Sequence, residues 1–312
     1  MEYLLLVIGF ILLIKGADFF VDGSSNIAKV LRIPTLIIGL TIVAFGTSAP
    51  EAAVSVTASL SGQNDISLAN VVGSNICNLL LGLGVSAVFA PLKTTKEVIA
   101  KDFTFSLLSY VILFILVAGV FIKHGEVSFI SRSEGLILLC FLGIYMYSLI
   151  YNAVTQEKME VEHKKFQFRD ILFIVVGILA IVFGGNLVVD CATKIAQNFG
   201  LSEHLIGLTI VAVGTSLPEL VTSVIAARKG ETDIAIGNVI GSNIFNIFFI
   251  LGISSFLSPI SLDFSSFIDI IILMIIGLIV YIFACINLRI GKKKGFIMVL
   301  LYIIYAIYII MR

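Results

Sequence analysis

Two short stretches carry most of the chemistry this sequence offers. Gly46-Thr47-Ser48-Ala49-Pro50-Glu51 and Gly214-Thr215-Ser216-Leu217-Pro218-Glu219 each place a carboxylate three and four residues after two hydroxyls, inside long apolar runs. Residues three and four apart on a helix share a face, so Thr47, Ser48, Glu51 and Ser55 are expected to present their oxygens together. Thr215, Ser216, Glu219 and Ser223 repeat the arrangement. Proline removes a donor and crowds the carbonyl four residues back, which predicts a broken helix with freed carbonyls at Gly46 and Gly214. Asn70, Ser74 and Asn78, then Asn238, Ser242 and Asn246, recur at i, i+4, i+8 and add a polar stripe. An all-oxygen set with two negative charges and no His or Cys suits a hard cation. Ca²⁺ takes about six to eight oxygens in flexible geometry, whereas Mg²⁺ demands a tight octahedron and gives up water reluctantly; soft transition metals prefer other donors. Two glutamates balance one divalent ion or two monovalent ones, so competition for them is a physical basis for exchange.

The elements that must hold these groups are membrane spans. Of 312 residues, 59% are hydrophobic and only 13% charged, against about 25% charged in soluble domains; mean hydropathy is +1.12. A water-soluble fold is excluded, and with 20 basic and 20 acidic residues there is no basic patch to engage nucleic acid. Runs of about 20 apolar residues, the length that crosses a bilayer, predict an all-α integral membrane protein of ten helices at 3–22, 34–60, 67–90, 103–122, 133–152, 170–190, 203–228, 234–257, 266–287 and 295–311. With the N-terminus outside, 15 Lys and Arg fall in inner connections and 4 in outer ones, so the positive-inside rule predicts both termini outside. Met1-Glu2-Tyr3-Leu4 lacks the basic start of a cleaved signal. Cys77, Cys140, Cys191 and Cys285 read as small buried hydrophobes, and His124, His163 and His204 as interfacial or loop residues.

The chain also repeats itself. Ile38–Ala44 recurs as Ile206–Ala212, and at this offset of 168, 25 of the 41 residues from 38 to 78 are identical. Asp22 meets Asp190, Glu51 meets Glu219 and Asn78 meets Asn246. Residues 1–154 and 170–312 are therefore two five-helix repeats joined by a mixed-charge cytoplasmic linker, 155–169. An odd number of spans per copy inverts the second copy, and inverted repeats are a signature of secondary transporters with a midplane ion site. Gly39, Gly46, Gly73 and Gly84 fit close helix approach, but packing does not call for carboxylates, which cost about 2.5–3.5 kcal/mol each at mid-bilayer. Asn75 and Asn243 lie off the stripe and fit interhelical hydrogen bonding.

The paired Gly-Thr-Ser-x-Pro-Glu motifs, followed by Ala69-Asn70-Val71-Val72-Gly73-Ser74-Asn75-Ile76 and its counterpart Gly237–Ile244, resemble the two α-repeats of the cation/Ca²⁺ exchanger superfamily. The resemblance is closest to prokaryotic sodium/calcium exchangers and covers essentially the whole chain. It implies that Glu51 and Glu219 are central Ca²⁺ ligands, joined by the carbonyls of Thr47 and Thr215. The implied Na⁺ sites draw on the carbonyls of Ala44 and Ala212 and on Thr47, Ser48, Ser74, Asn78, Thr215, Ser216 and Ser242. It also implies that the first and sixth spans slide across a rigid core, eased by Gly9, Gly16, Gly177, Gly184 and Gly185. Asn246 stands where potassium-dependent relatives carry Asp, which argues against K⁺ co-transport.

The expected activity is Na⁺/Ca²⁺ antiport by alternating access in a prokaryotic plasma membrane, with Ca²⁺, Na⁺ and the bilayer as partners and no cofactor or protein partner. A H⁺/Ca²⁺ exchanger on the same scaffold is the alternative. It is disfavoured because a proton needs only the carboxylate, not the flanking hydroxyls. A cation channel is more remote, since a two-fold site on broken helices suits alternating access. No G-x-S-x-G or H-E-x-x-H motif is present, so no enzyme is expected.

Overall fold

Apolar segments in a bilayer can satisfy their backbone only by coiling. The computed structural model describes residues 1–62, 64–123, 128–155, 166–200, 212–262 and 264–311. Among these are eight helices long and apolar enough to cross a membrane, and a bent pair that makes a ninth span. In order they are α1 (Glu2–Leu31), the bent pair α2 (Thr35–Thr47) and α3 (Ala49–Leu60), α4 (Ile66–Phe89) and α5 (Lys96–Ala118). Next come α6 (Arg132–Thr155), α7 (Phe168–Asn198), α8 (Ala212–Thr215) and α9 (Leu217–Arg228). The chain closes with α10 (Thr232–Leu257), α11 (Phe264–Cys285) and α12 (Lys292–Met311). The expected span 203–228 begins outside the described residues, and α8 and α9 are its described part. The three histidines and most of the linker also lie outside them.

The fold is not purely helical. Leu92–Lys93 (β1) pairs antiparallel with Arg289–Ile290 (β4), and Ser128–Ile130 (β2) pairs with Ile260–Leu262 (β3). Each ribbon joins a connection of the first half to one of the second.

Burial separates a core from a lipid-facing shell. The apolar window of α10 is 89% buried and that of α4 78%, against 17% for α6 and 11% for α12. The outer helices expose rows of Leu and Ile, such as Leu300, Ile303, Ile304 and Ile307, as hydrocarbon contact requires. Cys140 and Cys285 are on this exposed shell, while Cys77 and Cys191 are buried; lipid serves an apolar side chain as well as a core does, so hydrophobicity alone did not separate them.

α1 and α7 run to 30 and 31 residues, well past the expected limits at 22 and 190. Hydropathy ends these spans at Asp22 and Asp190; the folded chain pairs Asp22 with Lys229, and Asp190 faces a cavity. The two helices are antiparallel with their backbones in contact. A carbon added at Gly9 would stand 3.1 Å from Gly184 O, at Gly16 2.9 Å from Gly177 O, and at Gly23 2.7 Å from Asp170 O. Seven-residue spacing keeps these glycines on one seam. Gly9, Gly16, Gly177 and Gly184 therefore join α1 to α7, rather than easing both across the core as expected. Gly185 alone of that set faces the core, near Pro218.

Other glycines seat the core. Gly39 lies against Gly237, Gly84 against Gly295 and Gly135 against Gly252. Gly46 faces Phe20 and Ile178, and around Gly73 no described residue lies within 4 Å of an added carbon. Overpacking a tight contact costs about 1–3 kcal/mol. Gly177→Val should therefore lower the melting temperature in detergent by several degrees, whereas Gly143→Val, at a position with open space among the described residues, should leave it unchanged; differential scanning fluorimetry of the two checks this.

Candidate functional site

The helix break comes where proline predicts it. Ser48, between α2 and α3, has φ −81° and ψ 6°, and Ser216, between α8 and α9, has φ −88° and ψ 4°. With Pro50 and Pro218 in the first turn after each break, Glu51 and Glu219 also fall in that first turn, where the helix dipole favours a negative charge. Both glutamates are fully buried.

The serines do not serve the glutamate of their own motif. Ser48 Oγ donates to Glu219 Oε1 at 2.9 Å, and Ser216 Oγ donates to Glu51 Oε1 at 3.4 Å. Helical spacing put each hydroxyl beside its own carboxylate, but the break at the serine turns it toward the other half. The two motifs therefore meet, and each carboxylate is fixed at one oxygen from across the interface.

Asparagines then staple the broken helices. Asn70 Nδ2 donates to Ser55 Oγ (3.0 Å) and Glu51 O (3.4 Å), and Asn238 Nδ2 donates to Ser223 Oγ (2.9 Å) and Glu219 O (3.2 Å). Their carbonyl oxygens face the opposite threonines, Thr47 Oγ1 standing 2.9 Å from Asn238 Oδ1 and Thr215 Oγ1 3.4 Å from Asn70 Oδ1. Ser242 Oγ reaches Ala44 O at 3.4 Å. Ala212, which opens α8, has its side chain outside the described set.

Asn75 and Asn243 exchange Nδ2–H···O=C hydrogen bonds, each 3.2 Å, in keeping with the packing role the sequence suggested. Asn243 Nδ2 also donates to Tyr110 OH at 2.9 Å, and Ser106 shares a 2.7 Å bond with that hydroxyl. Asn78 and Asn246 each open a π-helical segment, Asn78–Gly82 and Asn246–Leu251. Such widened turns recur at functional sites and carry no sequence signal that periodicity detects. Asn246 Nδ2 donates to Asn75 Oδ1 at 3.0 Å.

Most of the groups the sequence nominated thus converge, and several have oxygens to spare. Glu51 Oε2, Glu219 Oε2, Ser74 Oγ, Asn78 Oδ1 and Nδ2, and Asn246 Oδ1 are buried without a hydrogen-bond partner. Buried polar atoms are normally satisfied, so this set of unpaired oxygens, two of them on carboxylates, fits a hard cation. Among the described residues no cluster of three His, Cys, Asp or Glu exists, so the donor set is the mixed one of carboxylate, amide, hydroxyl and carbonyl.

The two ends of this core differ. A cavity of about 760 Å³ opens between α3, α7 and α9, its lining including Pro50, Thr57, Ser61, Asn186, Asp190 and Thr215. Sequence reasoning named Asp190 only as the counterpart of Asp22 and did not nominate Asn186; their place in or at the end of an apolar run was the available signal. At the opposite end Lys229 bridges the turn after α9 to α1, its Nζ lying 2.6 Å from Asp18 Oδ1 and 2.8 Å from Asp22 Oδ1. Partial burial works against its charge, but the hydrogen bonds to Asp18 and Asp22 and their charges outweigh it and raise its pKa. The ammonium stays charged at any physiological pH.

The sodium/calcium exchanger protein family model matches residues 1–151 and 170–311. The chain belongs to the sodium/calcium exchanger family. Over 98% of its length this exchanger is 35% identical to the sodium/calcium exchanger MaX1 of Methanosarcina acetivorans, covering 97% of that protein. It is also 37% identical to the inner membrane protein YrbG of Escherichia coli, over 83% of this chain and 81% of that one. Among solved structures it resembles the sodium-calcium exchanger NCX_Mj soaked with 100 mM Na⁺ and 10 mM Sr²⁺, with a TM-score of 0.84 and 34% identity over 97% of this chain and 96% of that one. Removing one partner of a buried hydrogen bond costs about 1–3 kcal/mol, so Tyr110→Phe in this exchanger should lower its melting temperature by several degrees without touching the carboxylates; thermal unfolding in detergent checks it.

Proposed function

We propose that this exchanger is a Na⁺/Ca²⁺ antiporter of a prokaryotic plasma membrane, holding Ca²⁺ between Glu51 and Glu219 and working by alternating access. The observation that carries this reading is the pair of fully buried carboxylates, each tied at Oε1 by a serine of the other half while Oε2 has no partner. Two unpaired anions in a low-dielectric interior are strongly disfavoured, and one Ca²⁺ or two Na⁺ would neutralise them. Either load then crosses as a near-neutral complex, and the empty, doubly charged site is the form that crosses least readily. That is the electrostatic logic of an exchanger.

In this reading Ca²⁺ takes the carboxylates and the carbonyls of Thr47 and Thr215. Na⁺ takes subsets of the Ala44 and Ala212 carbonyls and the side chains of Thr47, Ser48, Ser74, Asn78, Thr215, Ser216, Ser242 and Asn246. The names of MaX1 and NCX_Mj as sodium/calcium exchangers agree with it. Ten spans follow if α2 and α3 form one and residues 203–211 extend α8 and α9 into another.

An inverted two-fold relation between residues 1–154 and 170–312, with 155–169 as linker, is supported by the reciprocal contacts. Asn75 and Asn243 answer one another, as do the two serine–glutamate bonds. Gly84 and its counterpart Gly252, 168 residues on, each pack against a glycine near the start of another span, Gly295 and Gly135. The positive-inside bias places both termini outside. The 760 Å³ cavity then opens outward and the Lys229 end faces the cytoplasm.

Proton coupling would use the same carboxylates. Na⁺ is favoured because Ser74 and Asn78 add unpaired buried oxygens that a protonated glutamate does not need. A channel is disfavoured because the cavity lies at one end only of the described core, while at the other end Lys229 ties α1 to the turn after α9.

Glu51→Gln and Glu219→Gln should each lower Na⁺-driven ⁴⁵Ca²⁺ uptake into proteoliposomes at least about a hundredfold, since removing a buried charge ligand costs about 3 kcal/mol or more, with the melting temperature of the Ca²⁺-free protein kept. Uptake driven by a pH gradient alone, with internal Na⁺ inert, would instead install the proton-coupled reading. Asn246→Asp replaces the amide that donates to Asn75 with a carboxylate and should shift the pH or cation dependence of uptake.

A further inference from the structure

The turn after α9 grips α1 with every donor it has. Lys229 Nζ meets Asp18 Oδ1 (2.6 Å), Asp22 Oδ1 (2.8 Å) and Asp18 O (3.0 Å), and an ammonium has three protons to give. Two residues on, Glu231 Oε1 accepts from Ser25 Oγ at 2.6 Å and lies 3.7 Å from Lys29 Nζ. The turn is held rigidly for this purpose. Gly230 has φ +82°, and the amides of Gly230 and Glu231 close on Ala227 O and Ala226 O, a helix-ending motif that needs a left-handed residue.

The other half has the same turn without the grip. At the offset of 168 Lys229 corresponds to Ser61, Asp18 to Asn186 and Asp22 to Asp190. Gly62 keeps the left-handed conformation at φ +75°, so the backbone is prepared in the same way. Yet Ser61, Asn186 and Asp190 all line the open cavity, where their counterparts are in contact. The latch is present in one half only, and the half that lacks it is the half that is open.

We propose that Lys229 is a positioning residue that pins α1, and with it the α1–α7 pair, against the core at the cytoplasmic end, so that this exchanger rests open to the outside. The proposal rests on the alternating-access reading and on the orientation given above. Because α1 and α7 are joined along their glycine seam, a clamp on α1 alone sets the position of both. Moving to the inward-open arrangement means breaking three charge-assisted bonds at the inner end while forming none of the kind at the outer end. The two conformations are therefore unequal in energy although their backbones are related by symmetry.

The test reads conformation without using Ca²⁺. In protein with all four cysteines replaced by alanine, a cysteine introduced by Thr57→Cys lines the outer cavity, and its rate of reaction with a membrane-impermeant maleimide from outside follows the outward-open population. Adding Lys229→Gln should lower that rate at least about threefold, by population shift, while Lys229→Arg should keep it near the parent rate. The pair Ser61→Lys with Asn186→Asp builds the mirror latch and should lower it too. A companion measurement is the KM for Ca²⁺ from each face. Lys229→Gln should lower it at the inner face and raise it at the outer, whereas a purely structural role would move both the same way.

Equal maleimide rates in the parent and in folded Lys229→Gln would overturn the proposal, as would a parent cysteine that does not react from outside. Should Lys229→Gln fail to fold, Asp18→Asn with Asp22→Asn breaks the same latch from α1, and the same expectations apply. Failure of Na⁺-driven Ca²⁺ uptake would sink the functional reading while leaving the labelling result intact, so the two failures are distinguishable.

Discussion

Glu51 and Glu219 are buried carboxylates in a protein whose surroundings are hydrocarbon, and the cost of keeping two negative charges there governs the rest of the core. Fully buried as they are here, each is stabilised by a fixed hydrogen-bond donor. The chain supplies that donor from the opposite half, Ser48 to Glu219 and Ser216 to Glu51. This crossing makes the site a property of the interface rather than of either half. Neither repeat alone could hold its own glutamate as observed. The broken helices follow from the same need, since a continuous helix would hold each serine beside the glutamate of its own motif.

The core is crossed by buried hydrogen bonds, and any element that moves against it under the proposed alternating access must be packed differently. α4 and α10 are seated by glycines and crossed by the Asn75–Asn243 exchange, so sliding within the core would strip hydrogen bonds from buried amides. α1 and α7 meet each other through backbone and meet the core largely through apolar side chains and the polar turn after α9. Apolar contacts can be exchanged for other apolar contacts at little cost, whereas buried amide bonds cannot. On the proposed mechanism, a division between a fixed part and a moving pair would follow from the kind of contact each surface makes.

Much of this was legible in the sequence. The Gly-Thr-Ser-x-Pro-Glu pairs, the 168-residue offset and the Asn-Ser-Asn stripes picked out residues that converge in the buried core, because carboxylates are costly inside apolar runs. What periodicity missed were effects of pairing between distant segments. Helical spacing assigned Ser48 to Glu51, and the break at Ser48 gave it to Glu219. Hydropathy ended α1 at Asp22, and the bond to Lys229 more than 200 residues later lets the helix continue to Leu31. The π-helical turns at Asn78 and Asn246 add a residue to a turn without changing composition, so no pattern announces them. Glycine spacing in α1 was visible, but whether a small-residue seam faces a partner helix or a sliding surface depends on what stands opposite.

Two inverted copies of one sequence would give a transporter with no preference between its faces, because each conformation would be the mirror of the other. Symmetry of the backbone therefore supplies the two states, and departures from it supply the bias. The departures here are not spread evenly. The ion-site residues from Thr47 to Glu51 and from Thr215 to Glu219 differ at one position, Ala49 against Leu217, and both halves use the same serine and asparagine contacts. Charged differences lie instead around the latch, where Lys229 and Glu231 stand against Ser61 and Gln63, and Asp18 of α1 against Asn186. A change at the site would alter how either face binds an ion, whereas a change at a turn alters only which face is open. Separating the two would let affinity and resting orientation be set independently, and in this chain Lys229 and Glu231 are partly exposed, where a charge is cheaper to keep than in the buried core.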